Sequence, residues 1–286
     1  MSDPVTARVP APPLRIALVG DSLAAGVVDV GTDARQPTFA DYLARGVRAS
    51  GSPAVLTSTA WPGADASDGL TRQVPMALDA RPAVAFVWLG LNDLLRFAFD
   101  AQAVADAVAD SCAALAAAGA RVGTASMPLP TDALPFPGWG LRRICERVTR
   151  LNEAIAARSA AAGHLHLDLR VTCGDLGRRE LVGVDGIHLS ALSHRRVAAG
   201  YARMLHAEGI VDTAARDAVV ALAGEGDRPG AGVTRRDQAA WVMTRGASYA
   251  ARRLTGLTRR AEAPGIASAA ATPPPAPAPR GRPATH

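Results

Sequence analysis

The sequence predicts an α/β fold in which a five-stranded parallel sheet lies between two layers of helices. Short apolar runs alternate along the chain with longer segments whose apolar residues recur at helical spacing. Such alternation is typical of parallel strands joined by right-handed helical crossovers. A chain of 286 residues with 49% hydrophobic content can bury a substantial core, which favours one such domain with an appendage.

Apolar, often β-branched runs give the strands, and helical spacing gives the segments between them. The strands are expected near residues 14–20, 54–59, 83–89, 121–126 and 165–169. The helices are expected near residues 38–50, 67–79, 100–118, 141–162 and 190–208. Gly119 and Gly163 directly follow alanine-rich stretches, where glycine ends helices. Five strands in this alternation predict a flavodoxin-like three-layer sandwich with a five-stranded parallel sheet.

The first strand ends in a serine at the edge of the predicted sheet. The run at residues 14–23 reads LRIALVGDSL, so Ser22 follows the strand directly. The carboxyl ends of parallel strands are where α/β proteins place ligands and chemistry. Because a serine hydroxyl is a poor nucleophile until a base takes its proton, the chain must also supply a base.

A base is available far downstream, in the segment DGIH at residues 185–188. Asp185 and His188 lie three positions apart, between a glycine-rich loop and a helical segment, so both side chains can reach one site. In a serine triad, the histidine accepts the serine proton and returns it to the leaving group, while the aspartate holds the imidazole tautomer. His188 is therefore the candidate base for Ser22, with Asp185 as its support.

Two loops after predicted strands offer donors for an oxyanion. Gly63 follows the second strand and Asn92 follows the third. Tetrahedral intermediates of acyl transfer need preorganised donors such as backbone N–H groups and an asparagine amide. Taken singly, these residues and Ser22 are also common in turns and helix caps. Their occurrence together, in order and in the right strand context, favours catalysis.

In these blocks the sequence resembles the SGNH hydrolases, also called GDSL-type esterases and lipases. The resemblance covers about residues 14–208 and rests on GDSL at 20–23, Gly63, GLND at 90–93 and DGIH at 185–188. It implies a catalytic triad formed by Ser22, His188 and Asp185. It also implies an oxyanion hole formed by the Ser22 N–H, the Gly63 N–H and the Asn92 side chain.

The resemblance also implies that the chain cleaves a carboxylic ester through an acyl-enzyme on Ser22, with no cofactor. The substrate is a small-molecule or lipid ester, and fold and triad do not choose between them. Alternatives on the same triad are acyl transfer to an alcohol and thioester hydrolysis. A further alternative is a binding module without activity, targeted by a basic tail.

Substrate contacts are expected beside the nucleophile and in a proline-rich loop. Asp21 and Leu23 flank the serine. The loop at residues 127–140 follows the fourth strand, and its Phe136 and Trp139 are candidates for one wall of the acyl or leaving-group pocket. A rigid surface connector is the equally weighted alternative for this loop.

Neither a metal site nor a cysteine nucleophile is expected. The sequence has no HExxH or CxxC motif, and Cys112, Cys145 and Cys173 are widely separated. Three cysteines of this kind agree with a reducing compartment. Residues 1–13 show no signal-peptide pattern, and no stretch approaches the roughly 18 apolar residues of a membrane span. The sequence therefore predicts a cytoplasmic protein.

Positive charge is concentrated near the C-terminus. The chain has a net charge of +5, and residues 228–286 hold ten arginines against two acids. A helix at 235–257 would be basic and amphipathic and could lie on an anionic membrane surface, or it could dock on the catalytic body as a solvated helix. Arginine replaces lysine throughout the sequence, so its abundance carries little weight for phosphate recognition, and nucleic acid is not an expected partner.

Composition divides the chain into four predicted parts. They are an N-terminal extension at 1–13, the hydrolase domain at 14–210, a basic helical extension at 211–262 and a disordered Ala/Pro-rich tail at 263–286.

Overall fold

Five parallel strands form the centre of the structure, a computed structural model that describes residues 12–29, 34–129 and 138–224 with Thr234, Arg236, Asp237 and Ala240. The strands are β1 (Leu14–Gly20), β2 (Ala54–Ser58), β3 (Val84–Trp88), β4 (Arg121–Ala125) and β5 (Leu165–Leu167). They are hydrogen-bonded in the order β2-β1-β3-β4-β5, and every neighbouring pair is parallel. The predicted parallel sheet and its flavodoxin-like order are confirmed.

Helices cover both faces of this sheet. They are α1 (Phe39–Ala49), α2 (Ala66–Asp68), α3 (Val74–Asp79), α4 (Leu91–Leu94), α5 (Ala101–Ala117), α6 (Gly138–Ala161), α7 (Leu169–Thr172), α8 (Arg178–Leu181), α9 (Ala191–Ala207) and α10 (Thr213–Gly224). A π-helical turn, Gly69–Gln73, joins α2 to α3. Helix α6 begins three residues before the predicted start, so Trp139 lies in a helix rather than in the proline-rich loop. The glycines on either side of Trp139 disfavour a helix, so the sequence pattern does not indicate that first turn.

The central strands are buried on both faces, which explains their continuous apolar pattern. All five residues of β3 are buried. On one face, the ring of Phe86 lies 4.4 Å from Tyr201 of α9 and 5.2 Å from Phe39 of α1. The Tyr201 hydroxyl donates to the Thr124 carbonyl at 2.7 Å, so its polar end is satisfied inside the core. This packing makes β1 and β3 a rigid platform for the loops at their carboxyl ends.

Helix α10 packs in the same layer as α1 and α9. Its Ala215, Val219 and Leu222 side chains are buried. Close approach depends on Gly46 of α1, because a Cβ there would lie 2.3 Å from Val219 Cγ2. The division of the chain at residue 210 stays a prediction, and the described segment just beyond it is packed on the helical layer.

The few residues described beyond α10 include a helix cap. Thr234 N–H donates to Asp237 Oδ2 at 2.8 Å and Asp237 N–H donates to Thr234 Oγ1 at 3.1 Å, the reciprocal pattern of a capping box. Most of the predicted helix at 235–257 lies outside the described residues, so the membrane contact stays a prediction, as does the cytoplasmic location. Within the described ranges, no helix has the length and apolar character needed to cross a membrane.

Replacing Gly46 with alanine should lower the free energy of unfolding by about 1–3 kcal/mol. The new Cβ would lie 2.8 Å from the Cα of Val219, so the backbone of α10 would have to move. The better helix propensity of alanine offsets at most about 1 kcal/mol. Urea unfolding followed by circular dichroism measures the change. Arg45→Ala, on the exposed face of the same helix, is the control, and a variant at position 46 as stable as the wild type would contradict this packing.

Candidate active site

Ser22 lies in the tight turn that follows β1 at the carboxyl edge of the sheet. Asp21 N–H continues the pairing with β3 by donating to the Trp88 carbonyl at 3.1 Å. Ala25 N–H donates to the Asp21 carbonyl at 2.9 Å and closes the turn. The sheet therefore fixes the backbone at Ser22. Ser22 is 9% exposed.

The structure brings Ser22, His188 and Asp185 into one hydrogen-bonded line. His188 Nε2 lies 2.8 Å from Ser22 Oγ, and His188 Nδ1 lies 2.5 Å from Asp185 Oδ2. The other oxygen, Asp185 Oδ1, accepts from the N–H groups of Ile187 and His188 at 2.9 and 3.0 Å. The backbone of the same loop thus fixes the carboxylate, and Asp185 and His188 form one local unit that faces the serine.

The loop of His188 is closed on itself and is joined to the serine turn by Gln36. Gly183 N–H donates to the His188 carbonyl at 2.8 Å, beside a β-bridge between Val182 and Leu189. Gln36 Nε2 donates to the Leu189 carbonyl at 2.6 Å, and Gln36 N–H donates to the Gly26 carbonyl at 2.9 Å. Gln36 therefore ties the two halves of the site together. Its sequence position, in a polar segment between strand and helix, gave no sign of this.

Gly63 and Asn92 lie on segments that are joined to each other. Asn92, on α4, donates from Nδ2 to the carbonyl of Ala64 at 2.8 Å. Gly63 precedes Ala64 and has a φ of +88°, which favours glycine because side chains are strained there. The two predicted oxyanion donors are thus held as neighbours at the carboxyl ends of β2 and β3.

Asp21 and Leu23 are buried on either side of Ser22 in the chain. Asp21 is 0% exposed and Leu23 is 1% exposed. The Asp21 carboxylate accepts from Leu23 N–H at 3.0 Å and from Leu91 N–H at 3.1 Å, which links the serine turn to α4. The expectation that these side chains touch substrate stays a prediction, and in the structure both are buried in contact with the protein's own backbone and core.

A second buried carboxylate links α4 to α2. Asp93 Oδ2 accepts from Ala66 N–H at 2.9 Å, and Arg96 approaches Asp93 Oδ1 at 3.8 Å while it pairs with Asp65. Sequence reasoning missed this link. The signal available was the number of aspartates at predicted strand ends, where each can accept from N–H groups of a neighbouring helix.

A family model described as the GDSL-like Lipase/Acylhydrolase family matches residues 18–196, more than half of the chain. The chain belongs to this family. It is accordingly a carboxylic ester hydrolase of the GDSL type, and the matched range contains the serine turn, Gly63, Asn92 and the loop of His188.

Solved structures share the fold of this GDSL hydrolase. The lipase/acylhydrolase from Enterococcus faecalis aligns with a TM-score of 0.57 and 22% identity, covering 68% of this chain and 96% of that one. The aryl esterase of M. smegmatis aligns with a TM-score of 0.54 and 18% identity, covering 68% and 98%. Est24, a carbohydrate acetylesterase from Sinorhizobium meliloti, aligns with a TM-score of 0.53 and 20% identity, covering 68% and 99%. No curated protein matches the chain.

Burial shifts the pKa values of several groups around the site of the GDSL hydrolase. Desolvation raises the pKa of Asp21 to about 7, although N–H donors and nearby His188 act in the opposite direction. The same cause raises the pKa of Asp93 to about 6. On α9, burial and the neighbouring His188 lower the pKa of His194 to about 3, so this second imidazole stays neutral at physiological pH.

The two buried cysteines take no part in this arrangement. Burial raises the pKa of Cys112 to about 12 and of Cys173 to about 11, which leaves both thiols protonated and poorly nucleophilic. Among the described residues, no three His, Cys, Asp or Glu side chains group as metal ligands. Trp139 is 66% exposed at the start of α6, and Phe136 lies outside the described residues, so their substrate contacts stay predictions.

Asp21 should make the free energy of unfolding fall as pH rises from about 4 to 7. Folded protein retains the Asp21 proton up to about pH 7, whereas the unfolded chain loses it near pH 4. Unfolding in this window therefore releases a proton. The contribution of Asp21 to the free energy of unfolding is fully present below about pH 4 and is lost as pH rises through 7. Asp21→Asn cannot titrate.

Urea unfolding across this pH range measures the effect. The slope of the unfolding free energy against pH should be more positive for Asp21→Asn than for the wild type by up to about 1.4 kcal/mol per pH unit. Asp110→Asn, exposed on α5, should keep the wild-type slope. Identical slopes for wild type and Asp21→Asn would show that this carboxyl has an ordinary pKa.

Proposed function

We propose that this GDSL hydrolase cleaves carboxylic esters through an acyl-enzyme formed on Ser22. The observation that carries the proposal is the 2.8 Å contact between His188 Nε2 and Ser22 Oγ, with His188 Nδ1 against Asp185. As a carboxylate, Asp185 can only accept, so the neutral imidazole keeps its proton on Nδ1. His188 Nε2 is then the acceptor for the serine proton.

In the acylation step, Ser22 Oγ attacks the ester carbonyl carbon and its proton passes to His188 Nε2. The carbonyl electron pair moves to oxygen and gives a tetrahedral oxyanion. When this intermediate collapses, the bond to the leaving alkoxide breaks and His188 protonates that oxygen. Asp185 stabilises the imidazolium in between, and its two backbone N–H donors keep it in place.

In the deacylation step, water takes the place of the alcohol. His188 Nε2 accepts a proton from water as its oxygen attacks the acyl carbon. The second tetrahedral intermediate then releases the carboxylic acid, and Ser22 Oγ recovers its proton from His188. No group outside the protein and the water molecule is needed for the proton balance.

We assign stabilisation of the oxyanion to the Ser22 N–H, the Gly63 N–H and the Asn92 side chain. The contact of Asn92 with the Ala64 carbonyl supports this assignment, because it holds the amide and the Gly63 segment as one unit. The contacts of Asp21 and Asp93 with N–H groups of Leu91 and Ala66 fix the same segments. Donors that are fixed in advance cost no reorganisation as charge develops on the substrate oxygen.

The proposed substrate is a carboxylic ester whose carbonyl carbon Ser22 Oγ can reach. The similar solved structures include an aryl esterase and a carbohydrate acetylesterase, which together suggest small acyl groups as first probes. Phe136 and Trp139 are proposed to line the acyl or leaving-group side. A chain-length series of p-nitrophenyl esters, from acetate upward, sizes that pocket directly.

Replacing Ser22 with alanine should reduce hydrolysis of p-nitrophenyl butyrate to the background rate, because no other group can form the acyl-enzyme. The variant should also lose labelling by a fluorophosphonate probe. Ser50→Ala, at the far end of α1, is the matched control and should keep both signals. If the Ser22 variant still hydrolyses the ester at the wild-type rate, the proposed nucleophile is wrong.

Replacing Asn92 with alanine should lower kcat by about 10²–10³-fold with a smaller change in KM, as expected for a donor that acts mainly on the transition state. Asn152→Ala serves as the comparison, because it removes two hydrogen bonds between an asparagine side chain and the backbone of Met127. Its kcat should fall less than that of the Asn92 variant. Equal effects of the two substitutions would argue against an oxyanion role.

A further inference from the structure

Gln73 is a buried glutamine whose side-chain amide contacts the last residue of β1. It is 0% exposed. Its Oε1 accepts from Gly20 N–H at 2.7 Å, and its Nε2 donates to the Gly20 carbonyl at 2.9 Å. Gly20 stands two residues before Ser22, so both polar groups of the peptide backbone entering the serine turn are bonded to one side chain.

The Gln73 amide occupies a place in the sheet that β2 leaves open. The Leu18 carbonyl accepts from Thr59 N–H at 2.8 Å, so the polar groups of alternate β1 residues, including Gly20, face β2. In a regular parallel ladder the Thr59 carbonyl would be the next acceptor for Gly20 N–H. Gln73 Oε1 takes the place of that acceptor, while the Gly20 carbonyl accepts from both Gln73 Nε2 and the backbone that follows β2.

The two peptide units that flank Gly20 join several parts of the site. The Gly20 carbonyl also accepts from Trp61 N–H at 3.2 Å, two residues before Gly63. A Cβ at Gly20 would lie 2.3 Å from Ala24 Cβ and 2.7 Å from the Trp88 carbonyl oxygen, so this position is closely packed. A change in the orientation of these two peptide units would therefore move both the serine turn and the loop of Gly63.

An irregular helical turn directs Gln73 towards β1. In the π-helical turn, Val74 N–H donates to the carbonyl of Gly69, five residues earlier. Pro75 follows directly and has no N–H, and its ring would clash with the carbonyl four residues before it in a regular helix. A wider turn relieves that clash, and Gln73, the last residue of the turn, is buried. Such π-bulges are often found at functional sites.

We propose that Gln73 is a positioning residue for the Ser22 nucleophile. By holding the two peptide units that flank Gly20 in one orientation, it sets the turn that presents Ser22 and the loop that carries Gly63. This inference rests on the proposed function, in which Ser22 is the nucleophile. Without the amide, Gly20 N–H would be buried without its acceptor, and the peptide would tilt to find another partner.

The first test replaces Gln73 with methionine, which has a similar length and no amide. The kcat for p-nitrophenyl butyrate should fall by about 10- to 100-fold, as is common when a catalytic group is slightly misplaced. KM should change by less than about twofold, since Gln73 contacts no substrate. Gln102→Met, exposed on α5, is the matched control and should keep the wild-type kcat. A folded Gln73→Met enzyme with wild-type kcat would overturn the proposal.

The second test replaces Gln73 with glutamate and follows kcat against pH. A neutral carboxyl can accept from Gly20 N–H and donate to the Gly20 carbonyl, whereas a carboxylate would set a second acceptor against that carbonyl. Burial raises the pKa of such a carboxyl. The ratio of variant kcat to wild-type kcat, each taken per active site titrated with fluorophosphonate, should therefore rise as pH falls.

This pH dependence separates positioning from folding. A residue needed only for folding would change the number of active sites but not kcat per titrated site. A ratio that does not change with pH would overturn the proposal, and this variant decides the matter if Gln73→Met does not fold. Ser22→Ala distinguishes failure of the proposed function from failure of the positioning role of Gln73. If that variant stays active, the proposed function fails, whereas an inactive Ser22→Ala beside a fully active Gln73→Met removes only the positioning role.

Discussion

The hydrogen bond between Ser22 Oγ and His188 Nε2 joins residues 166 positions apart, and the other parts of the site depend on that 2.8 Å contact. Each partner is rigid by itself, because Ser22 follows a central strand and His188 is fixed to Asp185 within one loop. What the fold must supply is the relative position of the two. Packing of α9 on α1 and the bridge made by Gln36 supply it.

Buried carboxylates are the second constraint on this site. Asp21, Asp93 and Asp185 each accept from backbone N–H groups of a loop or helix start. Burial alone would be costly for such groups, and the N–H donors offset part of that cost. In return, each carboxylate fixes backbone that a catalytic group depends on.

Several elements show how far sequence reasoning reached. The strands were predictable because continuous apolar runs can be buried on both faces only in the middle of such a sheet, as in β3. The helix predicted at 67–79 exists but is interrupted by the π-helical turn, for which Pro75 was the available sign. The contact of Asp21 and Leu23 with substrate stays a prediction, although both residues beside Ser22 are buried, which the sequence did not indicate.

By itself, the sequence determined the class of fold and the residue types available for catalysis. It could do so because strand periodicity is local, and because ester hydrolysis needs a serine, a base and oxyanion donors at strand ends, which short motifs record. Only the tertiary structure decided the distances between these groups, the burial that shifts the pKa values of Asp21 and Asp93, and the contact of Gln73 with Gly20. Those properties arise from contacts between segments far apart in the chain, and local pattern carries no information about them.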